Sequence, residues 1–265
     1  YWQFGQGSCS RFISSTSSDC DSRIGMELCH NKIFTNDLVV RLGFPGVTHK
    51  VVYKIQGAIE IANEIGFPIV VKPNFGSQGV GVTSNVTNLE VLEKAFSTAA
   101  RYSQQGIIIE KYLEGVDHRI TLFGGKLVWV SARYPAQVVG DGSRTLIELI
   151  EFENQRRVKE AYSKYLIVMD EEMTEFLAQS AIDYSYRPEH GEVVKLRTVA
   201  NLSRGGTLKD VTDKIHPDNL FMAESLAKAF RMDSLGVDFI SQDISISWRE
   251  GACGIIELNQ TPGFS

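Results

Sequence analysis

Two short stretches near the C-terminus constrain this chain more than anything else in it. Residues 236–240 read Gly-Val-Asp-Phe-Ile and residues 254–263 read Gly-Ile-Ile-Glu-Leu-Asn-Gln-Thr-Pro-Gly, with a polar loop between them. Both have strand character, and the polar link makes them partners in a hairpin. Side chains alternate along a strand, so Glu257 and Asn259 project from one face while Leu258 turns to the other, and pairing brings Asp238 beside them. Three hard oxygen ligands without His or Cys suit Mg²⁺, which keeps several waters and is usually shared between one or two carboxylates and a nucleotide's phosphates. Asp238, Glu257 and Asn259 are therefore the expected metal ligands, and a nucleotide is the ligand to look for.

The bulk charge indicates which kind of nucleotide. With 27 Lys+Arg against 32 Asp+Glu the net charge is −5, the wrong sign for a nucleic-acid surface. Hydrophobic content of 43% and charged content of 22% over 265 residues are ordinary for a globular enzyme acting on small molecules. Cys9, Cys20, Cys29 and Cys253 form neither a C-x-x-C pair nor zinc spacing, so a reducing cytoplasm is expected. No apolar run approaches the ~18 residues of a membrane span. The chain opens Tyr1-Trp2-Gln3-Phe4 and stops soon after Asn259, which suggests a piece of something longer.

Periodicity places the elements. Residues 31–42 carry Phe34, Leu38 and Leu42 as a helical stripe ended by Gly43 and Pro45, with Lys32 in the first turn. A second helix, 56–65, ends at Gly66 and leads into a buried strand over 67–73, with Lys72 near its end. A capping-box spacing at Thr87 and Glu90 opens a helix with Leu89, Leu92, Phe96 and Ala99 on one face. Residues 107–113 read as a strand, and Gly124-Gly125 as the turn of a hairpin joining 119–123 with 126–132. Thr145 and Glu148 repeat the capping box before a charged helical stretch reaching about 182, read as an inserted helical subdomain at about 145–190. Strand character returns over 192–199, and a helix fits 218–230 after His216-Pro217, whose role is helix entry. Strands and helices mix without regular βαβ alternation, so the expected class is α+β.

Several residues on these elements carry chemistry. The turn from Asn74 to Gly81, with Gly76, Ser77 and Gly79, is glycine-rich, so backbone N–H groups can close on phosphate oxygens; it lacks the Gly-Lys-Ser/Thr of a Walker loop. Lys72 precedes it. Backbone groups of Lys111, Tyr112 and Leu113 can pair a purine edge, and Asp117 is the choice for ribose hydroxyls. Glu110 accepts from an adenine amino group, steadies a nearby Lys, or simply closes a strand. Arg119, Arg197 and Arg204 are cations able to meet an anionic reacting centre. On a strand Lys195, Arg197 and Val199 share a face, making Arg197 a surface charge or a fork aimed into a cleft; the local pattern favours the surface. No Gly-x-Ser-x-Gly elbow or Cys/His pairing supports a covalent nucleophile.

Taken together, these pieces resemble the ATP-grasp superfamily, and within it the cyanophycin-synthetase branch. The likeness runs through 22–32, Val71-Lys72-Pro73 with the glycine turn, 109–119, 139–150, 196–207, 210–217, Gly236-Val237-Asp238 and Glu257-Leu258-Asn259, in family order. It implies an ATP-grasp fold, two α+β subdomains clasping ATP with a small helical insertion. Residues 1–45 would lead in from an N-terminal domain, 46–116 form the lid subdomain, and 117–265 form the C-terminal subdomain with the insertion. By the same resemblance Lys32 and Lys72 grip the phosphates, Gly76, Ser77 and Gly79 cover them, and Tyr112 and Leu113 bind adenine. Arg119, Arg197 and Asn201 face the carboxylate and the transferring phosphoryl group. The glycine turn reads Asn-Phe-Gly-Ser-Gln-Gly where the branch usually has an Asp-Gly-Asn-His type, and the Mur-ligase-like C-terminal domain of that branch is not in the chain.

The implied reaction is carboxylate–amine ligation through an acylphosphate, using ATP and one or two Mg²⁺ ions, with amino-acid or peptide substrates and neither nucleic acid nor membrane. A homo-oligomer is compatible with it. Three readings stand: a cyanophycin synthetase-like enzyme adding an amino acid to a peptide or polymer, a glutathione synthetase-like ligase of free amino acids or short peptides, and a non-catalytic nucleotide-binding module. A complete set of lysines, arginines and metal ligands speaks against the last.

Overall fold

The computed structural model of the protein describes residues 1–75, 80–103, 105–160 and 165–263. Its backbone divides into two units, Tyr1–Ala132 with Asp210–Ser265, and Arg133–Lys209.

The first unit opens with a small antiparallel sheet of β1 (Trp2–Phe4), β2 (Arg11–Ser14) and β3 (Ser17–Ser18). Helices α1 (Arg23–His30) and α2 (Lys32–Arg41) follow, joined at Asn31, which ends one and caps the other by accepting from the Phe34 N–H at 3.1 Å. Lys32 thus becomes the first residue of α2. The expected stripe is corrected here: Phe34 and Leu42 are exposed, and the buried face carries Thr35 and Val39. Hydrogen bonds explain the inward polar residues, since Thr35 Oγ1 donates to Leu28 O at 2.7 Å and Asn36 Nδ2 to Val47 O at 2.9 Å.

Next come β4 (His49–Val52), α3 (Ile55–Ile65), β5 (Ile69–Pro73), β6 (Thr83–Val86), α4 (Leu89–Ala100) and β7 (Ile107–Lys111), whose strands form an antiparallel sheet ordered β4-β7-β5-β6. Ile69, Val71, Ile107 and Ile109 pack with Ala58 and Ala62 of α3 and Leu92, Ala95 and Ala99 of α4, so one face of the sheet is a core. Alternation turns Lys72 and Glu110 to the other face. The cap of α4 is Asn88, accepting from Val91 N–H at 3.0 Å, in place of the predicted Thr87; Asn is at least as good an N-cap as Thr, and Glu90 pairs with Lys94 instead.

Strands β8 (Val116–Phe123) and β9 (Lys126–Tyr134) flank Gly124-Gly125, both at positive φ (61° and 66°), the conformation a tight hairpin demands. The second unit then holds β10 (Gln137–Val139), α5 (Leu146–Lys159), α6 (Glu171–Ala178) and β11 (Val193–Lys195), with β10 and β11 paired antiparallel. Its core is Leu146, Leu149 and Ile150 of α5, Met173 and Leu177 of α6, and Val194 and Leu196. The Thr145–Glu148 capping box forms in full. Among the described residues the charged stretch holds two helices, α5 and α6, and the strand expected over 192–199 ends at Lys195, so alternation does not extend to Arg197. Arg157, buried on α5, pins the loops by donating to Tyr165 O and to Gly205 O at 2.9 Å.

Strand β12 (Thr207–Asp210) returns the chain to the first unit, where α7 (Pro217–Phe230), β13 (Ser234–Ser241) and β14 (Cys253–Asn259) complete a five-stranded sheet ordered β12-β9-β8-β13-β14. His216 caps α7 through Nδ1, accepting from Asp218 N–H at 3.1 Å, with Pro217 at its first turn. The result is an α+β architecture.

Candidate functional site

The charged face of the five-stranded sheet follows from strand register. On central β13, Asp238 is the direct partner of Arg119 on β8 and of Glu257 on β14, and one step along the ladder Gly236 pairs with Thr121 and Asn259. Residues two apart share a face, so Asp117, Arg119 and Thr121 line up beside Asp238, Glu257 and Asn259. The predicted oxygen ligands are thereby brought together, and Asp117 joins them on the same face. Arg119 forks onto Asp238: Nε donates to Oδ1, and Nη2 to Oδ2 at 2.9 Å. This bidentate geometry fixes both groups.

Two lysines meet this face. Lys32 Nζ, at the start of α2, lies 3.9 Å from Glu257 Oε1. Lys72 Nζ lies 2.6 Å from Glu110 Oε2, both side chains being about nine-tenths buried. Of the readings open for Glu110, the ion pair selects the one in which it steadies a lysine. Burial pushes the Lys32 ammonium below its ordinary value while Glu257 pulls it back, Lys72 lowers it further and Glu110 raises it. Burial likewise raises the Glu257 carboxyl, ahead of the opposing pull of Lys32, with Asp238, Lys72 and Arg119 also felt. Lys32, Lys72, Glu110, Arg119, Asp238 and Glu257 thus share one electrostatic field, and in both members of the Lys32–Glu257 pair desolvation outweighs attraction.

The donors fit a hard divalent cation: two carboxylates on adjacent strands, with the amide oxygen of Asn259 two residues beyond Glu257 on the same face. Among the described residues no group of three or more His, Cys, Asp and Glu is arranged around a metal position.

At the end of β7 the backbone is partly engaged. Lys111 N–H donates to Thr48 O at 2.9 Å and Tyr112 N–H to Pro68 O at 3.3 Å, while Lys111 Nζ donates to Gly66 O at 2.9 Å behind α3. A purine edge would therefore meet the carbonyls and the Leu113 N–H rather than the first two amides. An open recess of about 380 Å³ lies here, lined by Pro68, Asn85, Tyr112 and Glu114. A larger one, about 450 Å³, lies between the Gly124-Gly125 turn and the end of α7; Tyr112 lines the first, and none of the predicted site residues lines the second. Gly76, Ser77 and Gly79 lie outside the described residues.

Arg197 and Asn201 belong to the second unit, where Arg197 corrects the surface reading. Its side chain is 2% exposed, with Nη2 donating to Val168 O at 2.6 Å and lying 2.9 Å from Asp170 Oδ1, and Nη1 lying 3.3 Å from Glu172 Oε2. Arg204 bonds the same two acids, 3.4 Å from Asp170 Oδ2 and in closer contact with Glu172. Burial alone would raise the Asp170 carboxyl, but the Met173 N–H, Arg197 and Arg204 hold it below its ordinary value. Asn201 Oδ1 accepts from Ser203 N–H at 3.0 Å, capping the turn Leu202–Arg204. Asp170 and Glu172 escape a reading of the sequence; the one available signal is Asp170 ahead of Glu171 and Glu172, an N-cap pattern that says nothing of distant arginines.

Comparison with known proteins agrees with this chemistry. Residues 32–122 match the family model described as the carbamoyl-phosphate synthase L chain, ATP binding domain. Cyanophycin synthetase of Synechocystis sp. is 36% identical over 99% of this chain and 31% of its own length. A glutathione biosynthesis bifunctional protein of Clostridium perfringens is 34% identical over 73% of this chain and 25% of its own. The crystal structure of a bifunctional glutathione synthetase from Pasteurella multocida superposes with a TM-score of 0.64 at 25% identity, covering 98% of this chain and 37% of that one. The chain spans about a third of the length of the curated cyanophycin synthetases it matches. Among the described residues no helix is long and apolar enough to cross a membrane. With the strand-borne acids and the buried lysines, these similarities give the chain an ATP-grasp fold and make it similar, over 99% of its length, to one segment of the cyanophycin synthetases.

Proposed function

We propose that the chain is the ATP-dependent part of a carboxylate–amine ligase of cyanophycin synthetase type, joining an amino acid to a peptide or polymer. A free carboxylate does not react with an amine at neutral pH, because hydroxide leaves poorly. Transfer of the ATP γ-phosphoryl group to the carboxylate makes an acylphosphate; the amine attacks its carbonyl carbon, phosphate leaves with the bonding pair, and the amine proton goes to solvent. The observation that carries this reading is the shared field of Lys32, Lys72, Glu110, Arg119, Asp238 and Glu257 on paired strands.

Lys32 and Lys72 hold the phosphates, while Gly76, Ser77 and Gly79 cover them. Asp117 takes the ribose hydroxyls, and the backbone from Lys111 to Leu113 takes the purine. Asp238, Glu257 and Asn259 hold Mg²⁺, which supplies charge neutralisation at the phosphate oxygens when bound. Arg119 meets the negative charge that spreads during transfer, and Arg197 and Asn201, in the second unit, are assigned to holding the acid. Positioning and charge stabilisation account for the catalysis, so no side-chain nucleophile is required.

Phosphate release should depend on both a carboxylate and an amine. Release that needs no acceptor amine would make the protein an ATPase, and ATP binding without any release would make it a binding module. A second reading, ligation of free amino acids or short peptides, is favoured by the similarity to glutathione synthetases. Turnover of Asp/Arg peptides against free amino acids separates the two.

A further inference from the structure

Gly236 occupies the middle of the charged face, on β13 between Thr121 and Asn259. Its backbone lies outside the left-handed region, so conformation does not demand glycine there. Space does. A Cβ at this position would fall 2.9 Å from Pro262 Cβ, 3.1 Å from Arg119 Cδ and 3.4 Å from Asn259 Cβ. A glycine inside a strand, with its cost in order and packing, marks a site where something else must come close. Here the close groups are the Arg119 stem and the ring of Pro262, three residues after Asn259.

We infer that Gly236 is a positioning residue, its missing side chain leaving the space in which the Arg119 stem lies as it forks onto Asp238 and in which Pro262 seats beside Asn259. The inference rests on the ligase reading for its functional consequence and on the strand geometry for its cause. Arg119 and Asp238 are direct register partners, so an arginine stem rising straight from β8 would stand beside Asp238 with its guanidinium beyond the carboxylate. Lying back over Gly236, the stem can double round and present Nε and Nη2 to both oxygens of Asp238. A methyl group at 236 narrows that path, so the Arg119 stem must shift and its fork onto Asp238 with it. It also presses on Pro262, whose ring has no rotamer to yield, and so on the approach to Asn259.

The test uses Gly236→Ala, Arg119→Ala and the double variant, with Mn²⁺ in the presence of ATP as the probe of divalent-ion affinity, followed by electron paramagnetic resonance, and thermal melting beside it. Gly236→Ala should weaken Mn²⁺ binding about tenfold, the low end for residues that orient metal ligands. Adding it to Arg119→Ala should cost clearly less, about threefold, because the displaced stem is then absent and only the pressure on Pro262 remains. Wild-type Mn²⁺ affinity in Gly236→Ala, or an equal loss with and without the Arg119 stem, overturns the inference. If Gly236→Ala does not fold, adding both Arg119→Ala and Pro262→Gly should restore a cooperative melt, and a triple variant that stays unfolded overturns it equally. Failure of the unsubstituted protein to bind Mn²⁺ with ATP sinks the ligase reading itself, and the metal role of Gly236 with it.

Discussion

Both units of this chain set arginines against carboxylates, and they do so in physically different ways. In the first, Arg119, Asp238 and Glu257 stand on three adjacent strands in direct register, so the hydrogen-bonded ladder determines where each group is. In the second, Arg197, Arg204, Asp170 and Glu172 come from a segment beyond a three-residue strand, a single 3₁₀ turn and the start of an eight-residue helix. There, the charged groups meet through side-chain contacts between separate segments and not through a ladder. A ladder gives a site that persists when one charge is changed, while a quartet of mutually dependent charges gives one that rearranges.

The contrast can be broken first at Glu110. Removing one partner of a buried pair strands the other, so Glu110→Ala should cost about 3–5 kcal/mol by urea denaturation. Glu172→Ala, with a side chain 54% exposed, should cost under about 1 kcal/mol. Equal costs would show that the two regions are held alike. Next, Arg197→Ala should lower turnover ~10² to 10³-fold with little change in ATP affinity, the loss typical of removing a preorganised group at the reacting end. A fall in ATP affinity of the same size would move Arg197 from the transfer step to nucleotide binding.

The smallest effect sharpens the comparison through pH. The Asp170 carboxyl lies below its ordinary 3.8, so its contribution to stability is present above that value and is lost as pH falls through the depressed one. Glu257 is raised above 4.5, so the folded state holds its proton more tightly, and stability from this group declines as pH climbs from 4.5 through the raised value. In urea midpoints measured against pH, Asp170→Asn should flatten the acid side, and Glu257→Gln should gain on the wild type as pH rises. Slopes of the same sign in the two variants would contradict the environments described.

The legible parts of the sequence are those whose cause is local. A two-residue period makes Glu257 and Asn259 neighbours by spacing alone, Gly124-Gly125 marks a turn needing positive φ twice, and Thr145 with Glu148 closes a capping box. Polarity misleads as a guide to exposure wherever the fold supplies a partner. Thr35 is inside α2 and Phe34 outside because hydrogen bonds to Leu28 and Val47 satisfy the inner face. Arg197 is buried because acids from a distant helix start reach it, and no pattern around residue 197 carries that information.

By itself, then, the chain's order of residues dictated its strands, its turns, one helix cap and the companionship of Asp238, Glu257 and Asn259, since each depends on spacing along a few bonds. Only the folded protein decided which lysine answers which acid, that Arg119 lies across a glycine to reach Asp238, and that Arg197 faces inward. Those choices depend on burial and on charges brought together from far along the chain, where desolvation and Coulomb attraction compete over a few ångströms.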